Sequence, residues 1–117
     1  MKNLPKLLFV FSILVLSSFI VRHHGWSSYD QTKVLDFTTV IEESTFENPH
    51  TMAKVKYEDE IWSVYLAPAS RMTARGLSAD AIKKGTAARL VAYPHKTEKG
   101  EMRAERIYIG GEKYELR

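Results

Sequence analysis

The stretch that decides the fold runs from Ile61 to His95 and reads IWSVYLAPASRMTARGLSADAIKKGTAARLVAYPH. At its start Trp62, Val64 and Leu66 alternate with other residues, and this period of two is typical of a β-strand. Pro68 follows closely and ends the strand, because proline cannot donate a hydrogen bond to a sheet. The stretch therefore opens with one short strand and then changes its structure.

The middle of this stretch predicts helical turns. Ser70 can cap one short turn that Gly76 closes, and Ser78 can cap a second turn that Gly85 closes. Residues 87–93 then form another strand, which stops at a proline and a histidine. One helical link between two strands, with no further alternation of strand and helix, argues against a parallel sheet.

Further strands are predicted outside this stretch, at residues 34–43, 51–57 and 102–109, with a short last strand that ends at Tyr114 and Leu116. Five to six short strands with a helix between the third and the fourth are typical of the oligonucleotide/oligosaccharide-binding (OB) barrel. The sequence therefore predicts a mainly β fold, a small OB-like barrel preceded by an N-terminal hydrophobic helix. An open meander or a sandwich-like sheet is the alternative.

The strand pattern also predicts the core and the position of two loops. Much of the core should come from apolar residues that alternate along the strands: Leu35, Phe37, Val55, Trp62, Val64 and Leu90. The strand order places Pro49-His50 and Pro94-His95 at one end of a closed sheet.

The first 21 residues differ from the rest of the chain. Lys2 and Lys6 precede residues 7–21, which carry no charge. This pattern belongs either to a secretory signal peptide or to a membrane anchor. Counted from Leu4 to Val21 the segment has 18 residues, which is close to the about 20 residues that span a bilayer.

The cleavage site favours the anchor. Signal peptidase needs small residues at the last and third-last positions before its cut. The candidates Val15-Leu16-Ser17 and Leu16-Ser17-Ser18 have a bulky residue in the third-last position. We therefore predict a signal anchor over residues 1–21, a linker over 22–32 and a periplasmic domain over 33–117, held at the bacterial inner membrane through residues 4–21. A cleaved, soluble periplasmic protein is the alternative.

Charge and cysteine content exclude several classes of function. Seventeen Lys and Arg residues less Lys2 and Lys6 leave fifteen, against fourteen Asp and Glu residues in the same part of the chain. Because the two signs are interspersed, the basic stripe of a nucleic-acid-binding protein is missing. The chain has no cysteine, which excludes disulfides, thiolate metal sites and a cysteine nucleophile.

No catalytic pattern stands out, and we expect a protein that is not an enzyme. The serines lie outside any G-x-S-x-G motif, and Ser70 is explained as a helix cap. Glu42 and Glu43 are neighbours on a strand and face opposite ways, so they cannot form a paired-carboxylate site.

The four histidines are the candidate metal ligands: His23, His24, His50 and His95. Two lie in the predicted linker and two in predicted loops that approach each other in an OB-like barrel. Neutral imidazole is the commonest metal ligand, and a nitrogen site of this kind favours copper. The alternative is that the linker histidines are solvated and the loop histidines bond to the backbone.

Aromatic residues are one more group of candidate functional residues. Trp26 and Tyr29 lie soon after the hydrophobic segment, at a distance typical of the membrane interface. Trp62 and Tyr65 belong to a predicted strand, where packing in the core and across strands explains them.

Five blocks occur in a fixed order: HHGWSSYD (23–30), ENPH (47–50), VYLAPASRMTARGL (64–77), AYPH (92–95) and EMRAERI (101–107). In this the chain resembles a domain-of-unknown-function family of small exported bacterial proteins. The resemblance implies an exported, mostly β domain and no established activity. Members of that family often have a small-residue cleavage site before the first block, where this chain has Phe19-Ile20-Val21-Arg22.

Two functions remain open from the sequence. The first is a tethered periplasmic binding or accessory domain that holds a transition metal, copper above all, or a small ligand at its loop histidines. The second is a structural accessory subunit that docks on a larger inner-membrane assembly, such as an electron-transfer complex, and has no ligand of its own.

The anchor leads to the first prediction. The mature protein should begin at or near Met1 and should resist extraction from membranes by high salt, because the junctions after Ser17 and Ser18 are poor substrates for signal peptidase. N-terminal sequencing of the protein from its native membrane measures this directly. A chain that starts at Ser18 or Phe19 contradicts the prediction.

Overall fold

The computed structural model describes residues 25–117. The predicted N-terminal helix and residues 22–24 of the predicted linker lie outside this range. Within residues 25–117, no helix combines the length and the apolar character needed to cross a membrane.

Six strands and one short α-helix make up the fold, and their bounds lie within about two residues of the predicted ones. The strands are β1 (Leu35–Thr45), β2 (Met52–Tyr57), β3 (Glu60–Tyr65), β4 (Ala87–Pro94), β5 (Glu101–Ile109) and β6 (Glu112–Glu115). The helix α1 (Ala69–Ala74) lies between β3 and β4, and short 3-10 helices occur at Trp26–Ser28 and Asp80–Ile82.

Five of the strands close into a barrel. The order along the sheet is β3-β2-β1-β4-β5-β6, and a further pairing joins β3 to β5. This pairing is parallel and matches Ser63 with Glu101 and Tyr65 with Arg103, whereas the other pairs are antiparallel. β6 pairs with β5 alone, outside the closed ring. The closed barrel with one helix between the third and fourth strands is confirmed.

The stagger of the strands decides which loops meet. Thr45, at the end of β1, pairs with Met52, and the register continues through Tyr65, Arg103 and Tyr93. Tyr93 follows directly after Ala92, and Ala92 pairs with Leu35. One circuit of the ring therefore leads from Thr45, at one end of β1, to Leu35 at its other end. Such a stagger is the shear that closes a barrel. It brings the loop before β2 next to the loop after β4.

The core confirms part of the prediction. Val55, Val64 and Leu90 are buried, and Leu35, Phe37 and Trp62 are partly buried and pack against them. The predicted core did not include further buried side chains from the link, from β5 and from the end of the chain: Met72, Leu77, Ile82, Met102, Ile107 and Leu116. The link between β3 and β4 therefore contributes to the same core as the strands.

The turn between β2 and β3 has an uncommon backbone. Tyr57 pairs with Glu60, so Glu58 and Asp59 form a two-residue turn. Both have positive φ angles, 49° and 65°, in the left-handed region that glycine and asparagine favour. Aspartate is among the residues that tolerate this conformation, whereas glutamate is not.

The start of α1 differs from the prediction. Ser70 lies inside the helix, so it cannot act as the N-cap, and the N-cap residue Pro68 makes no side-chain cap bond. Instead the Oδ1 of Asn48 accepts hydrogen bonds from the Ser70 backbone N–H at 3.1 Å and from its hydroxyl at 3.3 Å. The loop between β1 and β2 therefore caps the helix from a distance in sequence. Ser78 behaves as predicted, since its Oγ accepts the Ala81 N–H at 3.3 Å.

The described part of the predicted linker lies against the barrel, and we call residues 25–32 the strap. Tyr29 is only 1% exposed and forms a β-bridge with His95. The Asp30 N–H donates to the Pro94 carbonyl at 2.8 Å, and the Lys96 N–H donates to the Ser28 carbonyl at 2.9 Å. These contacts make the strap a part of the folded domain, although its sequence is polar.

The cap from Asn48 leads to a prediction about stability. Asn48→Ala should lower the free energy of unfolding by about 1 kcal/mol, the usual effect of losing an N-terminal cap. Ser70→Ala is the matched control, because it removes the hydroxyl and leaves the backbone N–H bonded to Asn48. Urea unfolding of the full chain in detergent, followed by tryptophan emission, measures both variants. Equal losses in the two variants would contradict the capping role.

Candidate functional site

The candidate site lies where the strap meets β3, β5 and the loop after β4. At its centre the Tyr29 hydroxyl donates a hydrogen bond to Glu101 Oε2 at 2.8 Å. Burial raises the pKa of Tyr29 far above its ordinary value, and the bond to Glu101 and its negative charge add to this. A phenolate would be both buried and next to a carboxylate, so Tyr29 remains a hydrogen-bond donor.

His95 lies beside this pair. Its ring packs edge-on against the Tyr29 ring, with 5.1 Å between centroids. Its Nδ1 accepts the backbone N–H groups of Thr97 at 3.1 Å and Glu98 at 3.0 Å. An acceptor nitrogen has no proton, so this pattern assigns the neutral tautomer with the proton on Nε2. That Nε2 lies 3.9 Å from Glu101 Oε2.

His50 approaches the same region from the other loop. The half-buried His50 ring packs edge-on against Tyr65, with 5.4 Å between centroids. Tyr65 alternates with the buried Val64 and therefore points to the outer side of β3. Burial raises the pKa of Tyr65, and the charge of Glu101 adds to this. Tyr65 and Glu101 thus stand between the two loop histidines.

Of the four predicted metal ligands, His50 and His95 lie within the described residues, and His23 and His24 lie outside them. Within residues 25–117, no group of three His, Asp or Glu side chains is placed to hold one metal ion. The structure therefore brings His50 and His95 to one face of the barrel with two tyrosines and a carboxylate around them, and it shows no assembled metal cluster in that part of the chain.

Trp26 forms a second contact between the strap and the barrel. The guanidinium carbons of Arg103 and Arg117 each lie 4.3 Å from the centroid of its ring. The Tyr93 ring meets it edge-on at 6.2 Å. Cation–π contacts of this geometry hold an aromatic ring in place. The sequence offered no signal for them, because the arginines are more than seventy residues away along the chain.

Positive charge is concentrated around this tryptophan. Burial lowers the pKa of Arg103, and the positive charges of Arg71 and Arg117 act in the same direction, against the opposing effect of Tyr29. Arg71 also donates to the Leu116 carbonyl at 3.4 Å. Arg117 donates to the Gln31 side-chain oxygen at 2.9 Å and lies 3.5 Å from Glu105.

The polar groups at the centre of the site form hydrogen bonds within the fold. The Tyr29 hydroxyl, the Nδ1 of His95 and the Glu101 carboxylate are all engaged in bonds that hold the strap or the loop after β4. A cleft of about 410 Å³ opens beside them, lined by Trp62, His95 and Lys96 among others. A larger cleft of about 660 Å³ lies elsewhere, between β1, β2 and the link, and no histidine lines it.

Fold and site together define a small closed β barrel with the strap bound to its outer side, beside β5 and the loop after β4. The chain belongs to a family of unknown function, DUF6152, whose family model matches residues 12–103. The expected membership in a domain-of-unknown-function family is thereby confirmed. No curated protein matches the chain.

Tyr29 leads to a prediction about pH. Its pKa is raised in the folded protein above the value of 10.0 for a free tyrosine. The stability that it contributes is therefore complete below about pH 10 and is lost above it, where the unfolded chain releases the proton first. Tyr29→Phe should lower the free energy of unfolding by about 1.5 to 3 kcal/mol near neutral pH, the range for a hydrogen bond to a charged group.

The measurement is urea unfolding of both proteins from neutral to strongly alkaline pH. The difference between wild type and Tyr29→Phe should shrink as the pH rises past 10.0. A difference that stays constant over this range contradicts the assignment of the alkaline loss to Tyr29.

Proposed function

We propose that the protein is a non-enzymatic accessory domain. In this proposal residues 4–21 hold it at the outer face of a bacterial inner membrane, where it docks on a larger membrane assembly. The observation that carries the proposal is that the strap is bound to the barrel at the end of β4 and at the loop of His95 that follows it.

That face is the one on which OB-type barrels bind ligands. They bind oligonucleotides or oligosaccharides on the second and third strands, between the loop after the first strand and the loop after the fourth. In this chain those loops contain His50 and His95, and Tyr65 lies on the third strand between them. Tyr29 borders that face through its contacts with Glu101 and His95. Trp26 packs beside it, against Tyr93 of β4 and Arg103 of β5.

The contacts of the strap are of the kind that a weakly bound ligand would not displace. They combine a β-bridge, two backbone hydrogen bonds beside it and a buried tyrosine. Burial of one large side chain alone is worth about 1.5 to 3 kcal/mol. Because the strap follows the predicted anchor and is bound to the barrel, the barrel would be held at a fixed place on the membrane. A fixed position suits an accessory subunit.

The same contacts support a role without catalysis. A general base must have an accessible lone pair, and a nucleophile must be able to lose its proton. The lone pair of His95 Nδ1 accepts two backbone N–H groups, and the hydroxyl of Tyr29 is buried and bonded to Glu101. The groups with the most reactive chemistry in this region are therefore used for structure.

A copper site is the second candidate. The observation that favours it is that His50 and His95 share one face and that the strap begins directly after His24. A neutral imidazole that binds a metal through one nitrogen carries a proton on the other. Copper at Nε2 of His95 would put that proton on Nδ1 and break the bonds to Thr97 and Glu98. The hydrogen bonds of His95 Nδ1 therefore favour the accessory role over the copper site.

One set of variants tests both candidates. In His50→Ala/His95→Asn both imidazoles are lost, while the Asn side-chain oxygen can still accept the N–H groups of the loop, as in an Asx turn. On native electrophoresis of detergent-extracted membranes, the wild type should migrate in a complex much larger than its 13.4 kDa. The double variant should migrate in the same way, because the proposed role does not use the imidazoles.

Copper titration supplies the second readout. The wild type, the double variant and a peptide of residues 22–32 should bind copper(II) with equal affinity, that of a solvated His-His sequence. Tighter binding by the wild type that is lost in the double variant would instead establish the copper site. Migration of the wild type as an isolated chain in native membranes would contradict the accessory role.

A further inference from the structure

The strap limits the distance between the barrel and the membrane. Its first described residue is Gly25, and Val21 is the last residue of the predicted anchor. Fully extended chain covers at most about 3.6 Å per residue, so the five steps from Val21 to Trp26 reach no further than roughly 18 Å. If the anchor is retained, Trp26 must lie within about that distance of the hydrocarbon boundary. The headgroup layer itself occupies roughly 5 to 7 Å of it.

The surface around Trp26 is rich in arginine, and we call Arg71, Arg75, Arg103 and Arg117 the arginine surface. Arg103 and Arg117 lie over the Trp26 ring. The charge of Arg71 acts on Arg103, which places these two side chains close together. Arg71 and Arg75 are one helical turn apart and line the same shallow cleft of about 480 Å³.

Acidic groups near this surface balance only part of the charge. Glu105 lies 3.5 Å from Arg117 and 3.7 Å from Arg106, so it is shared between two arginines. Both Arg71 and Arg75 are exposed on α1, a helix without an acidic residue in its first turn. Arg71 and Arg75 therefore present positive charge to solvent, and Arg71 does so close to Arg103, beside the point where the chain leaves the barrel.

We propose that the arginine surface binds the phosphate headgroups of anionic phospholipids in the leaflet from which the anchor emerges. This rests on the proposed function, because it requires that residues 4–21 remain in the membrane. Guanidinium groups bind phosphate oxygens in pairs of parallel hydrogen bonds. Tryptophan favours the interface at which these headgroups lie. Lipid binding would fix the orientation of the barrel on the membrane as well as its distance.

Lipid suits this surface better than a protein partner because of the reach of the chain. Electrostatic attraction in physiological salt extends over about 8 Å, and the short connection keeps the arginines near that distance from the headgroups. Every molecule with an intact anchor therefore faces the lipid surface, whether or not another protein is present.

The test uses the full chain with Trp62→Phe, so that Trp26 is the single tryptophan of the two in the sequence. The protein is reconstituted into vesicles of phosphatidylcholine with or without phosphatidylglycerol, each with a nitroxide quencher on a fraction of the headgroups. Quenching of Trp26 emission should be stronger in the vesicles with phosphatidylglycerol. In Arg71→Gln/Arg75→Gln/Arg117→Gln it should fall to the level of phosphatidylcholine alone.

A matched variant controls for the loss of three charges. Lys54, Lys83 and Lys84 line the cleft between β1, β2 and the link, and none of them touches the arginine surface. Their triple replacement by Gln should leave the quenching unchanged. Circular dichroism and the melting temperature establish that the arginine variant is folded, and Arg117→Gln alone serves as a milder variant if it is not.

The outcomes separate this proposal from the proposed function. Equal quenching in the two lipid mixtures, or equal losses in the arginine and lysine variants, overturns lipid binding and leaves the accessory role intact. In that case a photo-crosslinker at position 75 that joins a protein in native membranes would assign the surface to a protein partner. A chain that sequencing finds cleaved before the strap would remove the anchor itself, whatever the vesicles show.

Discussion

The parallel pairing of β3 with β5 is the constraint on which the rest of the structure depends. It closes five strands into a ring through three residue pairs, from Ser63–Glu101 to Tyr65–Arg103. A closed ring requires staggered strands, and the stagger sets the loop before β2 beside the loop after β4. Without this closure His50 and His95 would lie at opposite ends of β1.

Glu101 connects the closure to the strap. Its backbone belongs to the first pair of the parallel ladder, and its carbonyl accepts the His95 N–H at 2.9 Å. Its carboxylate accepts the Tyr29 hydroxyl and faces Nε2 of His95. One residue thus joins the barrel seam, the loop after β4 and the N-terminal segment. The polar contacts are mutually dependent, since each group that is buried here finds its partner only when the others are in place.

The sequence predicted the parts of the fold that follow from local periodicity. The alternation of Val55 and Val64 with polar neighbours identified β2 and β3 and their buried side, because a strand has a period of two. The link was harder, since Met72, Leu77 and Ile82 come from short helical turns with no sustained period. Their burial depends on the core residues of the strands with which they pack, which no local pattern describes.

The candidate site was predictable only in its loops. The strand order correctly brought the loops of His50 and His95 together, and that geometry follows from the barrel type. The residues of the strap are polar and without period, which is typical of a linker. Tyr29 finds its partners in Glu101 and His95, more than sixty residues away along the chain. Asn48 replaced Ser70 as the helix cap for the same reason, since a distant acceptor leaves no trace in the neighbouring sequence.

The turn at Glu58 and Asp59 bears on the order in which the barrel assembles. Turn residues that prefer the left-handed region favour a hairpin locally, whereas a residue such as glutamate there costs about 1 to 2 kcal/mol. This hairpin has positive φ at both positions without glycine or asparagine. Its geometry is therefore imposed by the strands on either side, and β2 and β3 should join late, once contacts between distant segments have drawn the sheet together.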